Sequence, residues 1–223
     1  VIETYVINCF GSGESHIESL LGDLIARGRD PVVGITASQA VISLRIVARG
    51  ESSAACAAKI KPTADFIRER LGDLVFGEGD ETLEDVVVRE LDRRKETLTI
   101  LDFGLNGDVA SALAKAQSAA HTAGFLGGSL RPKGCAQCTD AHSLDSFLED
   151  STKEFRLQNQ ADWVLAISSI QTKGPESREF FHLVLTNGDQ TIAHEFPHTG
   201  HSALRHTRSV KQVLNFLRLS LQR

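Results

Sequence analysis

The chain has 223 residues, of which 41% are hydrophobic and 24% charged, and its formal net charge is -5. This composition is ordinary for a globular protein and allows one or two domains with a substantial core. Residues 1–80 carry 8 Lys and Arg against 11 Asp and Glu, and the remainder is also acidic. Neither part has the basic excess that nucleic-acid binding through the phosphate backbone usually needs.

The sequence also argues against membrane, secreted and disulfide-rich classes. No apolar run approaches the roughly 18 residues of a membrane span, and the chain opens on strand-like sequence rather than a signal peptide. Four cysteines in a chain of this size do not make a disulfide scaffold, so a reducing cytoplasm is expected. Because the chain begins at Val1 and contains no Met, we expect a fragment of a longer gene product.

The first third of the sequence predicts a small domain of alternating strands and helices. The predicted elements are a strand at Thr4–Phe10, a helix from Ser15, strands at Val32–Thr36 and Val41–Ala48, a helix at Glu51–Leu71 and a short strand at Leu74–Phe76. This β-α-β-β-α-β order fits an α+β domain with its helices on one face of the sheet. Pro62 predicts a bend or break near Lys61. The polar, glycine-rich segment Gly77–Glu81 predicts a boundary between domains 1–77 and 78–223.

The second domain is predicted to be built around the segment Glu96–Ala119. An apolar strand, Leu98–Leu101, ends at Asp102, and Phe103–Gly107 turns the chain into an alanine-rich helix. Such a turn presents backbone N–H groups at a helix N-terminus, where α/β proteins often bind anions or place nucleophiles.

Strands and helices also alternate after this segment. A helix capped by Thr82 is predicted before the segment Glu96–Ala119. The elements predicted after it are a strand at Phe125–Leu130, a helix at Leu144–Leu157, a buried strand at Asp162–Ser169, a loop at Gln171–Ser177, a hairpin of Phe180–Leu185 and Gln190–Phe196, and a last helix capped by Thr207. Asn187-Gly188 is the strongest hairpin signal in the chain.

Two local clusters resemble metal sites. Cys135 and Cys138, with His142, have a spacing that can hold Zn²⁺ or support redox chemistry, but no second Cys pair completes the set. The sequence therefore favours a plain loop with free thiols. Four histidines, His194, His198, His201 and His206, lie near the C-terminus. Pro197 and Gly200 argue against a helix that would bring them to one face, so a solvated loop is expected.

The residues of the first domain resemble a known family. FGSGES at Phe10–Ser15, followed by an apolar helix, is similar to the start of the middle region of the CinA family (competence/damage-inducible protein A). The segments 33–50 and 67–91 resemble that region's paired strands and its junction into the C-terminal domain. The resemblance covers the whole chain and is closer over 5–98 than after it. It implies a KH-like middle domain followed by a C-terminal domain that can be a nicotinamide mononucleotide deamidase.

The resemblance also implies where the catalytic serine of the family would fall. The family's signature A-E-S-C-T-G-G aligns with Leu101–Gly107, so that Asp102 keeps the acid and Gly107 keeps the last glycine. Phe103 stands in the place of the nucleophilic serine. A phenylalanine side chain carries no nucleophilic group, and no Ser or Cys lies between Thr99 and Asp108.

Two further family motifs are altered. The family's F-x-G-G-V-V-x-Y keeps Phe125, Gly127 and Gly128, but its tyrosine falls on Pro132 and its following lysine on Gln137. Neither the proline nor the glutamine side chain can donate or accept a proton as tyrosine and lysine do. The family's V-T-G-I-A-G-P loop becomes Ile167–Pro175 with two extra residues. The resemblance therefore implies a degenerate deamidase domain.

The expected fold is thus α/β (α+β), with a small β-α-β-β-α-β KH-like domain followed by an α/β three-layer domain of the CinA C-terminal type. The expected function is non-catalytic, in assembly or ligand binding. No catalytic residue, metal or cofactor is expected. The residues expected to bind a ligand are Asp102, Gly104, Asn106, Gly107, Gly127 and Gly128.

Two alternatives remain open. One is an amidohydrolase with an altered site that uses Asp102 with Ser129, Lys133 or Cys135. The other is nucleic-acid binding by the KH-like domain, although Gly28–Pro31 is not the G-x-x-G loop of such domains. The expected partners are a second copy of the chain and a small nucleotide; no membrane and no nucleic acid is expected.

Overall fold

A computed structural model describes residues 1–26, 28–131 and 141–223. The chain divides into two compact units, Val1–Val86 and Val87–Arg223. No helix within the described ranges is both long and apolar enough to cross a membrane.

The first unit is a four-stranded antiparallel sheet with helices on one face. Its elements are β1 (Ile2–Cys9), α1 (Glu14–Leu21), β2 (Val32–Ser38), β3 (Val41–Arg49), α2 (Ser53–Leu71) and β4 (Val75–Glu78). The strand order is β2-β3-β1-β4. Alternating residues of β3, from Ile42 to Ala48, are buried against the helices, and the residues between them are more exposed. The predicted order of elements is observed.

Two details of the first unit differ from the sequence prediction. Helix α1 begins at Glu14, with Gly13 rather than Ser15 as its N-cap. Helix α2 continues through Pro62, so the helix is not broken there; of the predicted bend or break, the break is wrong. Ile60, Ala64 and Ile67 are all buried in one core, and this packing on both sides of the proline favours a continuous helix.

The second unit holds a mixed sheet with helices on both faces. Its elements are α3 (Leu83–Arg94, which begins within the first unit), β5 (Leu98–Asp102), α4 (Asp108–Ala120), β6 (Phe125–Leu130), α5 (Ala141–Asn159), β7 (Trp163–Ile167), β8 (Gln171–Lys173), β9 (Arg178–Thr186), β10 (Thr191–Pro197) and α6 (Ser202–Leu221). The strand order is β10-β9-β7-β5-β6, and β8 pairs with β9. Strands β6, β5 and β7 are parallel, so their carboxyl ends meet at one edge.

The sheet of the second unit is the middle of three layers. Helix α5 packs against β5, β7 and β9 on one face. On the other face α4 packs against β6 and α6, and Phe216 of α6 lies edge-on to Phe196 of β10. The predicted three-layer architecture is observed.

The hairpin at Asn187-Gly188 is confirmed, because β9 and β10 pair antiparallel on either side of it. Within the turn, Asn187 Oδ1 accepts hydrogen bonds from the N–H groups of Asp189 and Gln190. The predicted loop at Gln171–Ser177 contains the short strand β8. Helix α6 begins at Ser202, and its N-cap His201 lies six residues before the predicted cap at Thr207.

Candidate functional site

The carboxyl end of β5 is closed by the side chain of Asp102. Its Oδ1 accepts hydrogen bonds from the N–H groups of Gly104 (2.8 Å) and Leu105 (2.7 Å), and its Oδ2 accepts one from Gly107 (2.7 Å). Asp102 is buried. Charge-assisted hydrogen bonds of this kind are strong, and together they hold the turn that leads into α4. The carboxylate of Asp102 is therefore engaged by the turn itself.

Phe103 points into the core of the second unit. It is 3% exposed, and its ring lies edge-on to that of Phe147 in α5, with 5.4 Å between the ring centres. It shares a buried cluster with Leu101, Leu144 and Leu148. The position that resembles the family's nucleophile therefore contributes a packed aromatic ring.

Three glycines near this turn are explained by close packing or by backbone conformation. A Cβ on Gly104 would lie 2.2 Å from the carbonyl oxygen of Ser168, which follows β7. A Cβ on Gly128 would lie 2.9 Å from Cβ of Ala110 in α4. Gly127 has a φ of 114° at the point where the pairing of β5 and β6 shifts register. These glycines let α4 and the β7–β8 loop approach the sheet.

The start of α4 retains backbone donors. Asn106 and Gly107 have φ values of 58° and 78°, and this left-handed pair turns the chain into the helix. The N–H of Asp108 is bonded to the carbonyl oxygen of Leu105. Among the described residues, no acceptor is found for the N–H groups of Asn106 and Val109. Nε2 of His206 lies 2.6 Å from Asp108 Oδ2 at the same helix end.

The C-terminal histidines do not form one cluster. His198 Nδ1 lies 2.8 Å from Oγ of the buried Ser209, and His201 caps α6. The ring of His194 lies tilted against that of Phe196 and stacks with that of Phe216. Burial lowers the pKa of His198 below its ordinary value of 6.5, although the nearby Glu179 acts in the opposite direction. Each histidine has a different local role.

A buried histidine that the sequence analysis did not single out lies at the same edge of the sheet. His182 of β9 is 5% exposed, and its Nδ1 lies 2.7 Å from Oδ1 of Asp145 in α5. Its Nε2 lies 3.2 Å from Oε2 of Glu195 in β10, an ion-pair distance without the geometry of a hydrogen bond. The N–H of His182 donates to Ser168 Oγ. Its only sequence signal is a polar residue within the apolar run of β9.

A His–Asp pair can orient an imidazole for proton transfer, but both ring nitrogens of His182 face carboxylates of the protein itself, those of Asp145 and of the exposed Glu195. This cluster links α5, β9 and β10. Cys135 and Cys138 lie outside the described residues, as does the side chain of His142. Within the described ranges, no group of three or more His, Cys, Asp or Glu residues is arranged to hold a metal ion.

Comparisons with known proteins agree with this class of fold, a KH-like unit followed by a three-layer α/β unit. A family model described as "Damage-inducible protein CinA KH domain" matches residues 4–77. The chain is 35% identical over 113 residues to a putative competence-damage inducible protein of Alkaliphilus metalliredigens, which covers 51% of this chain and 28% of that protein.

A longer match and a solved structure extend the similarity. The chain is 25% identical over 236 residues to a putative competence-damage inducible protein of Clostridium botulinum, covering 99% of this chain and 57% of the relative. A competence or damage-inducible protein from Enterobacter asburiae has a similar fold, with a TM-score of 0.50, 16% identity, and coverage of 64% of this chain and 99% of that one.

Residues 4–77 therefore match the family model of the CinA KH domain, and the chain as a whole is similar to competence-damage inducible proteins. This confirms the resemblance and the fold class predicted from the sequence. The matches span between about a quarter and somewhat over half of the length of these curated relatives.

Proposed function

We propose that this chain is a non-catalytic member of the CinA group, whose second unit keeps the deamidase-like fold without its chemistry. The observation that carries the proposal is Phe103. A buried ring, packed on Phe147, stands where the resemblance implies the nucleophilic serine. The engagement of Asp102 by three turn amides supports the same view, because neither carboxylate oxygen is left without a donor.

The proposed role of the second unit is binding or assembly. Of the residues expected to bind a ligand, Asp102, Gly104, Gly127 and Gly128 already have the structural contacts described above. We place a small nucleotide at the start of α4, where the N–H groups of Asn106 and Val109 have no acceptor among the described residues. Backbone donors at a helix N-terminus favour a phosphate group.

The remaining parts of the proposal concern the domain boundary, the oligomeric state and the cellular compartment of the chain. We propose a domain boundary between Gly77 and Glu78, which is supported by the end of the family match at residue 77. We also propose that the chain acts as a homodimer in the cytoplasm. The buried, unbridged thiols of Cys9 and Cys56 are consistent with a reducing compartment.

The test is an ammonia-release assay with nicotinamide mononucleotide, run beside an active nicotinamide mononucleotide amidase as positive control. The expected result is no release above buffer from this chain. Ammonia release that is lost in Asp102→Ala, with the fold intact by circular dichroism, would overturn the proposal in favour of an altered active site. The same samples can be titrated with the nucleotide by calorimetry to test binding without turnover.

A further inference from the structure

A groove in the first unit, the α1–α2 groove, lies between α2 and the segment that runs from α1 to the start of β2. Its volume is about 770 Å³, which is within the range of small-molecule sites. On the α2 side it is lined by residues three or four positions apart, which share one face of a helix. Among them are Lys59, Pro62, Phe66 and Arg70.

The middle of this groove is apolar. Leu20 and Leu24 line it from α1 and from the turn that follows α1, and Pro62 and Phe66 line it from α2. Leu20 and Phe66 are only partly buried where they pack against the core of the unit. They therefore leave apolar surface in contact with water, and covering that surface with an apolar ligand body is favourable.

The two ends of the α2 wall differ in charge. Lys59 and Arg70 stand about 16 Å apart along the helix axis, because each residue of an α-helix adds about 1.5 Å. At one end, Lys59 Nζ lies 2.5 Å from Asp30 Oδ2 and also donates to a main-chain carbonyl oxygen. At the other end, Arg70 has no carboxylate partner among the described residues. Its guanidinium lies over the ring of Phe66, 5.1 Å from the ring centre, and stacking of this kind holds the group while its N–H donors stay free.

The charge balance of the groove is positive. The charged side chains that line it are Asp23, Arg29, Asp30, Lys59 and Arg70, so three cations stand against two carboxylates in a chain whose formal net charge is -5. Arg29 donates to the main-chain oxygen of Asp23, at 3.4 Å, and has no carboxylate partner within the described ranges. One excess charge suits a single anionic head and is too little for the phosphate backbone of a nucleic acid.

We propose that the α1–α2 groove binds a small organic anion with a flat apolar body. The carboxylate or phosphate head accepts hydrogen bonds from Arg70, whose paired donors match either group. The body lies on Pro62 and Phe66 and on the two leucines of the opposite wall. This site uses residues of the first unit alone, so its failure leaves the function proposed for the second unit intact.

Calorimetric titrations of the full chain test the site with four probes. Naphthyl phosphate and naphthoate carry the two heads on the same ring system, naphthol supplies the ring system without the charge, and inorganic phosphate supplies a head without the body. We expect at least one naphthyl anion to bind about tenfold more tightly than naphthol or inorganic phosphate, and the tighter anion identifies the head. Failure of both anions to bind, or equal binding of naphthol, would overturn the proposal.

Variants of Arg70 test the head contact. Arg70→Gln should weaken binding of the anion about tenfold, because the head loses charge-assisted hydrogen bonds. Arg70→Lys keeps the charge without the planar stack on Phe66, so its affinity should lie between those of the wild type and Arg70→Gln. Arg45→Gln is the matched control, since Arg45 lies at an exposed position of β3 outside the groove.

Both arginines are exposed, so neither glutamine variant removes core packing, and circular dichroism checks the fold of each. Unchanged binding in Arg70→Gln contradicts the head contact. Equal weakening in Arg45→Gln and Arg70→Gln shows a general effect of charge and also overturns the site.

Discussion

At the scale of single residues, the turn after β5 is held in place by its own side chains and backbone. Asp102 holds three amides and Phe103 fills the core, while Gly104 lets the chain pass against Ser168. Each residue stabilises the position of α4 relative to the sheet. The turn therefore has a structural role that does not depend on a ligand.

The first prediction follows from the three hydrogen bonds of Asp102. Asp102→Ala leaves the N–H groups of Gly104, Leu105 and Gly107 without their acceptor, and we expect a loss of about 3 kcal/mol in the free energy of unfolding. Asp102→Asn is the matched control and should lose less, because its amide keeps one acceptor oxygen. Urea unfolding checks both variants. A loss below about 1 kcal/mol for the alanine variant would contradict the assigned role.

The second prediction concerns the pH dependence of stability. The lowered pKa of His198 means that the unfolded chain takes up the proton more readily than the folded one. The stability due to neutral His198 is therefore present above its ordinary pKa and is lost as the pH falls below it. His198→Gln should flatten the fall in unfolding free energy between about pH 7 and pH 5. Equal slopes for the wild type and His198→Gln would refute this prediction.

At the scale of elements, the segment between β4 and α3 is fixed by a side chain of β1 and by side chains at the start of α3. Asn8 of β1 donates from Nδ2 to the carbonyl oxygens of Gly79 and Glu81. Thr82 then caps α3: its Oγ1 accepts from the N–H of Asp85, and Asp85 Oδ2 accepts from the N–H of Thr82. This reciprocal arrangement is a capping box, and it gives α3 a defined start.

The third prediction tests this cap. Thr82→Ala removes the side-chain acceptor for the Asp85 N–H and should lower the free energy of unfolding by about 1 kcal/mol. Thr82→Ser keeps the hydroxyl and should change it by a few tenths at most. Thermal unfolding followed by circular dichroism measures both. Equal melting temperatures for the alanine and serine variants would show that the cap contributes little.

At the scale of the whole molecule, the charge balance sets the expected partners. The chain carries 24 Lys and Arg against 29 Asp and Glu, and the acidic excess is shared by both parts of the sequence. The KH family match alone would suggest nucleic acid, but an acidic surface repels the phosphate backbone. The charge balance therefore argues against binding of nucleic acid through its phosphate backbone.

The fourth prediction follows from that balance. A gel-shift experiment with single-stranded RNA and DNA at about 100 mM salt should show unaltered mobility. A KH domain that carries a G-x-x-G loop serves as the positive control. Retention that weakens steeply as the salt concentration rises would instead support nucleic-acid binding by the first unit.

The sequence by itself determined the order of the elements and much of the fold. The alternation in β3, the Asn187-Gly188 turn and the β5–turn–α4 segment are local patterns, and local patterns reflect backbone preferences and burial on one face. The proposal that Phe103 stands in the place of a nucleophile also comes from the sequence, because it needs only the register of one motif.

Only the tertiary structure decided which groups meet. Asp145, His182 and Glu195 come from three separate elements, and no spacing in the sequence brings them together. The same holds for Gly104 against Ser168 and for the half of β1 that β4 leaves unpaired. These features depend on packing and strand pairing between distant segments, whereas sequence patterns report the conformation of neighbouring residues.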